Sequence, residues 1–234
     1  MDFLVSLAYR VWWRLRDLVL PPKPAESFAG RILCVGTADD IRLKHREIVL
    51  TFDDGPLRGQ TETILRALEE AGVKATFMMV GTQARGHPDI VRMIAEGGHT
   101  IGSHTEYHLN LTKVDLVTAT TEIEQGHANV ATPLQSTRYV AAPFFRFPFL
   151  AETPRLRSEI AKRNLIVLDV DINVGDDADL SPPQLRAKAL KRIVGRGSGI
   201  VLLHDIHDRT AAMLPGLLAD IKARGFTVAH LVPS

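Results

Sequence analysis

The 234-residue sequence contains a single cysteine, Cys34, which excludes an internal disulfide and a cysteine-built zinc centre. It has no excess of either charge. The 28 Lys and Arg against 27 Asp and Glu leave a net charge of +1, too little to draw nucleic acid or an anionic membrane by a bulk field, so no nucleic-acid partner is expected. It also lacks an apolar run long enough to span a bilayer. The nearest approach, MDFLVSLAYRVWWRLRDLVL at residues 1–20, carries Asp2 and is interrupted by Arg10, Arg14, Arg16 and Asp17. That stretch shows none of the basic start, uninterrupted apolar centre and small-residue cleavage site of a secretory leader. Internal repeats and low-complexity segments are missing as well.

What remains is an ordinary globular chain, 45% hydrophobic and 24% charged, large enough for one sizeable core. Leu4, Leu7, Val11, Leu15 and Leu18 recur at helical spacing beside Trp12 and Trp13. They predict an amphipathic helix that packs on its own domain or, alternatively, lies on a membrane surface or a partner. PPKPAES follows as a linker. The expected organisation is therefore a helix and linker over residues 1–27 and one folded domain over 28–234.

From residue 31 onward, short β-branched or apolar runs alternate with amphipathic helical patterns. Strands are expected at 31–35, 48–52, 75–80, 100–103, 139–144, 165–170, 199–203 and 226–231, with Pro88 and Pro182 suited to first turns of helices. Repeated βα units imply an α/β fold with a parallel sheet, and about eight of them suggest a barrel, whose functional groups stand where strands end. Polar clusters collect at those ends. Asp53 and Asp54 close IVLTFDDGP, His104 and His108 stand in HTIGSHTEYH, and Arg146 lies in APFFRFPFL. Asp169 and Asp171 close LIVLDVDIN, and His204 and Asp205 close GIVLLHD.

Each cluster has its own chemistry. Two adjacent carboxylates at the end of a buried strand oppose each other's ionisation and need a compensating charge. His104 and His108, four residues apart, can face one point and complete a two-His-one-Asp set for Zn²⁺ or another divalent transition ion. Glu106 is two residues after the first His, unlike the H-E-x-x-H of zinc proteases. One aspartate suffices for the metal, leaving the other as a general base beside a polarised water. His204 is a candidate general acid, and Arg146 can orient a carboxylate through paired hydrogen bonds.

TFDDGP, SHTEYH, RFPF, the acidic stretch from Asp169 to Asp177 and LLHD, in this order and at these gaps, resemble the five motifs of the polysaccharide deacetylase family. This is the NodB-homology type, carbohydrate esterase family 4. KATFMMVG and the segment from His204 to Pro233 extend the likeness, which spans about residues 31–233. The resemblance implies an irregular, TIM-like but distorted (β/α) barrel and a divalent metal, commonly zinc. It also implies hydrolysis of acetyl groups, N-acetyl first, on a glycan such as chitooligosaccharide, peptidoglycan or xylan. Asp53 would be the base, Asp54, His104 and His108 the metal ligands, and Arg146 the residue orienting Asp53. The backbone amide near Phe149 would be an oxyanion donor, and Asp171 would tune the acid His204. Leu203 would line the acetyl pocket.

The chain also departs from the pattern. A Trp usually follows the aspartates of the fourth motif; here Ala178 is expected in its place, with Phe147 or Phe149 supplying the missing wall. The partner of His204 is open among Asp169, Asp171 and Asp177, with Asp171 preferred because it ends a strand. Leu109 stands where a proline is common, and His207 is close enough to His204 to support it. The alternatives are hydrolysis of a non-sugar amide or an O-acetyl ester on the same scaffold, or a metal-dependent glycan-binding module without turnover. The resemblance points to the cell envelope, whereas the missing leader pattern leaves the cytoplasm open. No oligomeric state is specified.

Overall fold

The computed structural model describes residues 28–234. The amphipathic helix and linker expected at 1–27 lie outside the described residues. Nine strands form one sheet: β1 (Ala29–Val35), β2 (Glu47–Asp53), β3 (Thr76–Met79), β4 (Thr100–Ser103), β5 (Phe144–Phe145), β6 (Ile166–Val167), β7 (Ile172–Asn173), β8 (Gly199–His204) and β9 (Thr227–Pro233). The helices are α1 (Gln60–Ala71), α2 (Gly81–Gly86), α3 (Pro88–Glu96), α4 (Leu116–Ala131), α5 (Pro154–Lys162), α6 (Pro182–Arg196) and α7 (Asp208–Ala223).

Every ladder is parallel. Strand β2 pairs with β3 on one side and β8 on the other, while its first two residues also meet β9, which carries β1. The sheet continues from β3 through β4 and β5 to β6, and from β8 to β7. No ladder among the described residues joins β6 to β7, so the curled sheet is an open barrel with a seam between them. The stretch expected as one strand at 165–170 is thus shorter, and the chain builds the seam's second lip at Ile172–Asn173. The strand expected at 139–144 is also trimmed, because Pro143 has no N–H to give the ladder.

Strand parity divides the core. Along β2, Ile48, Leu50 and Phe52 face the helices and pack with Ile64, Leu68, Leu214 and Leu217. Val49 faces inward with Met78, Phe144, Leu168, Ile200 and Leu231, filling the barrel. Thr51 and Asp53 continue that inward file toward the carboxyl ends of the strands, both buried. The helices begin and end as their sequences dictate. Pro88 and Pro182 occupy first turns, Gln184 accepts from the Ser181 N–H at the start of α6, and left-handed Gly72 and Gly197 end α1 and α6.

Candidate active site

Asp53 is the last residue of β2 and keeps its strand's inward direction. Its Oδ1 accepts a 2.6 Å hydrogen bond from Nη1 of Arg146, a residue with no exposed surface. The same nitrogen donates to Thr51 Oγ1 at 2.7 Å, and Nε donates to the Leu168 carbonyl at 3.0 Å. The guanidinium thus stands inside the barrel with its donors engaged, and Asp53 has one carboxylate oxygen left for other work.

Asp54 leaves the strand with a φ of 78°. Its Oδ1 lies 3.5 Å from His104 Nε2 and 3.3 Å from His108 Nε2. His104 donates from Nδ1 to the Arg146 carbonyl at 2.8 Å, which leaves its Nε2 as an unprotonated lone pair aimed at Asp54. Burial holds the His104 imidazole below its ordinary pKa, against the opposing pull of Asp53 and Asp54. Asp54 Oδ1 is buried and has no hydrogen-bond partner. One carboxylate and two imidazoles therefore offer ligand atoms within 4.8 Å of one another, and the unsatisfied oxygen lies among them. This donor set fits a divalent cation of borderline softness, with positions left open for small molecules.

The loop that carries the two histidines is clamped from behind. Glu106 is buried against α2 and α4, accepting from Asn129 Nδ2 at 2.8 Å and pairing with Arg85 at 3.3 Å. The Tyr107 N–H donates to Glu122 at 2.9 Å, and the His108 N–H to Thr105 Oγ1 at 3.0 Å. Gly126 on α4 allows this approach: a Cβ there would stand 2.3 Å from the Thr105 carbonyl carbon. Five of the eight non-glycine residues with positive φ among the described residues are Asp54, Thr105, His108, Phe149 and Leu150. Backbone strain is concentrated at this site.

His204, at the end of β8, faces the same space, with Nε2 4.0 Å from Asp54 Oδ2. Its partner is Asp176. The His204 Nδ1 donates to Asp176 Oδ1 at 2.7 Å, the His204 backbone N–H to Oδ2 at 2.8 Å, and Thr210 Oγ1 to Oδ2 at 2.7 Å. Burial alone would strip the imidazole of its proton, but the bond to Asp176 and the charges of Asp176, Asp53 and Asp54 outweigh it, raising the pKa to about 9. Behind the Asp53–Asp54 turn, Asp205 accepts from the Gly55 N–H at 3.0 Å and from Thr61 Oγ1 at 2.7 Å, and burial lifts its carboxyl to about 7.

Three expectations are corrected by this geometry. Asp171 does not touch His204; it accepts from the Ile200 N–H and pairs with Arg196 on the seam side of the sheet, while Asp169 pairs with Arg157. Leu203 points into the helix-facing core, because along β8 the inward residues are 200, 202 and 204; Leu202 borders the cavity instead. Ala178 does not border the cavity, whereas Asp177, directly after the partner of His204, does. Phe147 and Phe149 both border the cavity, Phe147 buried and Phe149 64% exposed with its ring 4.7 Å from that of His108. His207 packs edge-on against His204 at 5.7 Å. The cavity these groups enclose measures about 300 Å³.

An open, all-parallel α/β barrel with an Asp-His-His cluster, an Arg-bonded Asp53 and an Asp-bonded His204 at the carboxyl ends of its strands defines the class of protein. A family model described as polysaccharide deacetylase matches residues 40–167, more than half of the chain, and the chain belongs to that family. It is 32% identical over 183 residues to the peptidoglycan-N-acetylglucosamine deacetylase PgdA of Listeria monocytogenes, covering 78% of this chain and 37% of that protein. It is 29% identical over 216 residues to a chitooligosaccharide deacetylase of Rhizobium leguminosarum bv. trifolii, covering 82% and 94%. Among solved structures, a peptidoglycan deacetylase from Bdellovibrio bacteriovorus superposes with a TM-score of 0.76 at 31% identity, covering 91% of this chain and 58% of that one. The chain thus spans little more than a third of the Listeria relative.

Proposed function

We propose that this chain is a metal-dependent hydrolase that removes acetyl groups, N-acetyl first, from a glycan of the chitooligosaccharide or peptidoglycan type. The observation that carries this reading is the arrangement of two side chains of opposite role around one cavity. Asp53 is fixed by buried Arg146, His204 is fixed by buried Asp176, and the unsatisfied Asp54 oxygen borders the same space beside His104 and His108.

A divalent cation held by Asp54, His104 and His108, with Zn²⁺ favoured by the two imidazoles, would supply Lewis acidity to the acetyl carbonyl and to water. Asp53 accepts the proton of the attacking water through the carboxylate oxygen that Arg146 leaves free. Arg146 holds that carboxylate aimed inward through its 2.6 Å bond to Oδ1. The backbone N–H at Phe149 is the donor for the developing oxyanion. His204 carries its proton toward the cavity and gives it to the departing amine as the carbon–nitrogen bond breaks, yielding acetate and a free amino sugar. Asp176 fixes the imidazole tautomer and stabilises its charged form, the part first expected of Asp171. The peptidoglycan and chitooligosaccharide named for the relatives support both the substrate class and a place of action at the cell envelope.

The experiment is acetate release by metal-loaded protein from chitooligosaccharide, peptidoglycan and acetylxylan. Release from an N-acetylated glycan that stops on chelation is expected. Release from acetylxylan alone would shift the reading to an O-acetyl esterase, and glycan binding without release would leave a binding module, for which neither Asp53 nor His204 has a use.

A further inference from the structure

One carboxylate on the cavity wall has no part in the chemistry above. His204 takes its partner from Asp176, and the residue that follows, Asp177, rather than Ala178, holds the wall position expected in place of the family's indole. Asp177 is exposed and borders the cavity beside Leu202 and His207. Among the described residues its carboxylate forms no hydrogen bond or ion pair. Its backbone is nonetheless held on both sides. Asp176 is fixed by His204 and Thr210, the Gly175 carbonyl accepts from Lys188 Nζ at 2.9 Å, and the Ala178 carbonyl accepts from Arg209. An ordered backbone limits the entropy lost when the side chain binds something.

The exchange of an indole for a carboxylate alters what the wall can recognise. An indole offers apolar area and one donor, which suits an acetyl methyl group. A carboxylate offers only acceptors, up to about four lone pairs, and gains nothing from a methyl. The donors it can take from an acetylated glycan are hydroxyl groups, in bonds strengthened by its charge. The exposed ring of Phe149 borders the same cavity and suits the C–H face of a sugar. Resting on the deacetylase reading, we infer that Asp177 is a substrate-recognition residue that accepts hydrogen bonds from hydroxyls of the sugar ring bearing the acetyl group. The chain therefore selects a polyhydroxylated substrate rather than an acetyl group alone.

The test uses the metal-loaded full chain with chitooligosaccharide and with an aryl acetate that contains no sugar. Asp177→Ala is expected to bind chitooligosaccharide about tenfold more weakly by calorimetry, as for loss of a charged hydrogen bond. Its kcat/KM on the glycan is expected to fall about tenfold further than on the aryl acetate, by the same loss. Asp177→Asn, whose amide oxygen still accepts, is expected to recover part of the affinity. Unchanged glycan affinity in Asp177→Ala overturns the proposal. So do equal losses on glycan and aryl acetate, which would assign Asp177 to the hydrolytic step. A wild type that binds the glycan through Asp177 but releases no acetate sustains this proposal and removes the deacetylase reading, so the two fail separately.

Discussion

The two lips of the cavity are built differently. The lip formed by β2, β4 and β5 is dry and over-determined: Asp53, His104 and Arg146 are all buried, and Arg146 alone ties three strands' worth of backbone and side chain together. The other lip, from β7 through Asp177 to the start of α6, lies beside the seam and rests on loop backbone; only Asp176 within it is buried and bonded into the machinery. The comparison separates two jobs. On the proposed reading, the base Asp53 stands in closed packing, whereas the wall offered to the substrate stands on exposed loop backbone.

The largest effects are expected at the dry lip. Asp53→Asn is expected to cut acetate release by about 10²–10⁴-fold while leaving metal content unchanged by elemental analysis. Asp54→Asn is expected to lose the metal together with turnover, because it removes the charged ligand of a three-residue set. If both variants kept their metal and their rate, the dry lip would have no chemical role.

A smaller effect is expected where the lips meet. Asp176→Asn should lower kcat by roughly tenfold or more, since His204 loses the carboxylate that holds its proton. Asp171→Asn should stay near the wild-type rate and lose only the seam-side bonds to Arg196 and Ile200. A reversal of these two results would restore the assignment first drawn from the sequence. Behind the dry lip, Gly126→Ala forces a methyl into the Thr105 carbonyl. It should cost about 1–3 kcal/mol of stability in urea unfolding and weaken Co²⁺ binding by displacing the histidine loop.

The smallest effect lies at the opposite end of the barrel, and it tests whether histidines differ by position alone. His99 accepts from the Ala75 N–H, and burial presses its pKa down to about 3; burial likewise presses His230 to about 4. Both are neutral when folded and ordinary, near 6.5, when unfolded. The stability they contribute is therefore complete above about pH 6.5 and is lost as pH falls toward 4 and then 3. Urea midpoints at pH 7 and pH 5 should show the loss, and His99→Gln should flatten it.

What could be read in the sequence follows from where each residue sits. Asp53, Asp54, His104, His108 and His204 stand at or just past strand ends, so an apolar run followed by a fixed spacing reveals them. Strand parity would have separated Leu202 from Leu203, since Leu202 shares an inward direction with His204. Asp176 could not be reached in this way. It lies in a loop beyond the seam, selected by the approach of β8 and by Thr210, and no periodicity in DINVGDDADL distinguishes it from its acidic neighbours. The seam was equally hidden, because LIVLDVDIN alternates as though it were one strand. The clamp on the histidine loop depends on Gly126 and Glu106 meeting from separate elements, which composition does not announce.

The open seam has a further consequence, for how its edges would meet a strand from another chain. An unclosed sheet exposes unpaired backbone along its margins, and such margins recruit strands from other chains into aggregates. Here both lips of the seam are strands of two residues, β6 and β7, too short to template an added strand. Asp169 with Arg157 and Asp171 with Arg196 place charges along the gap. The opening beside the cavity is thereby guarded against edge-to-edge pairing by the shortness of its strands and the charges along it.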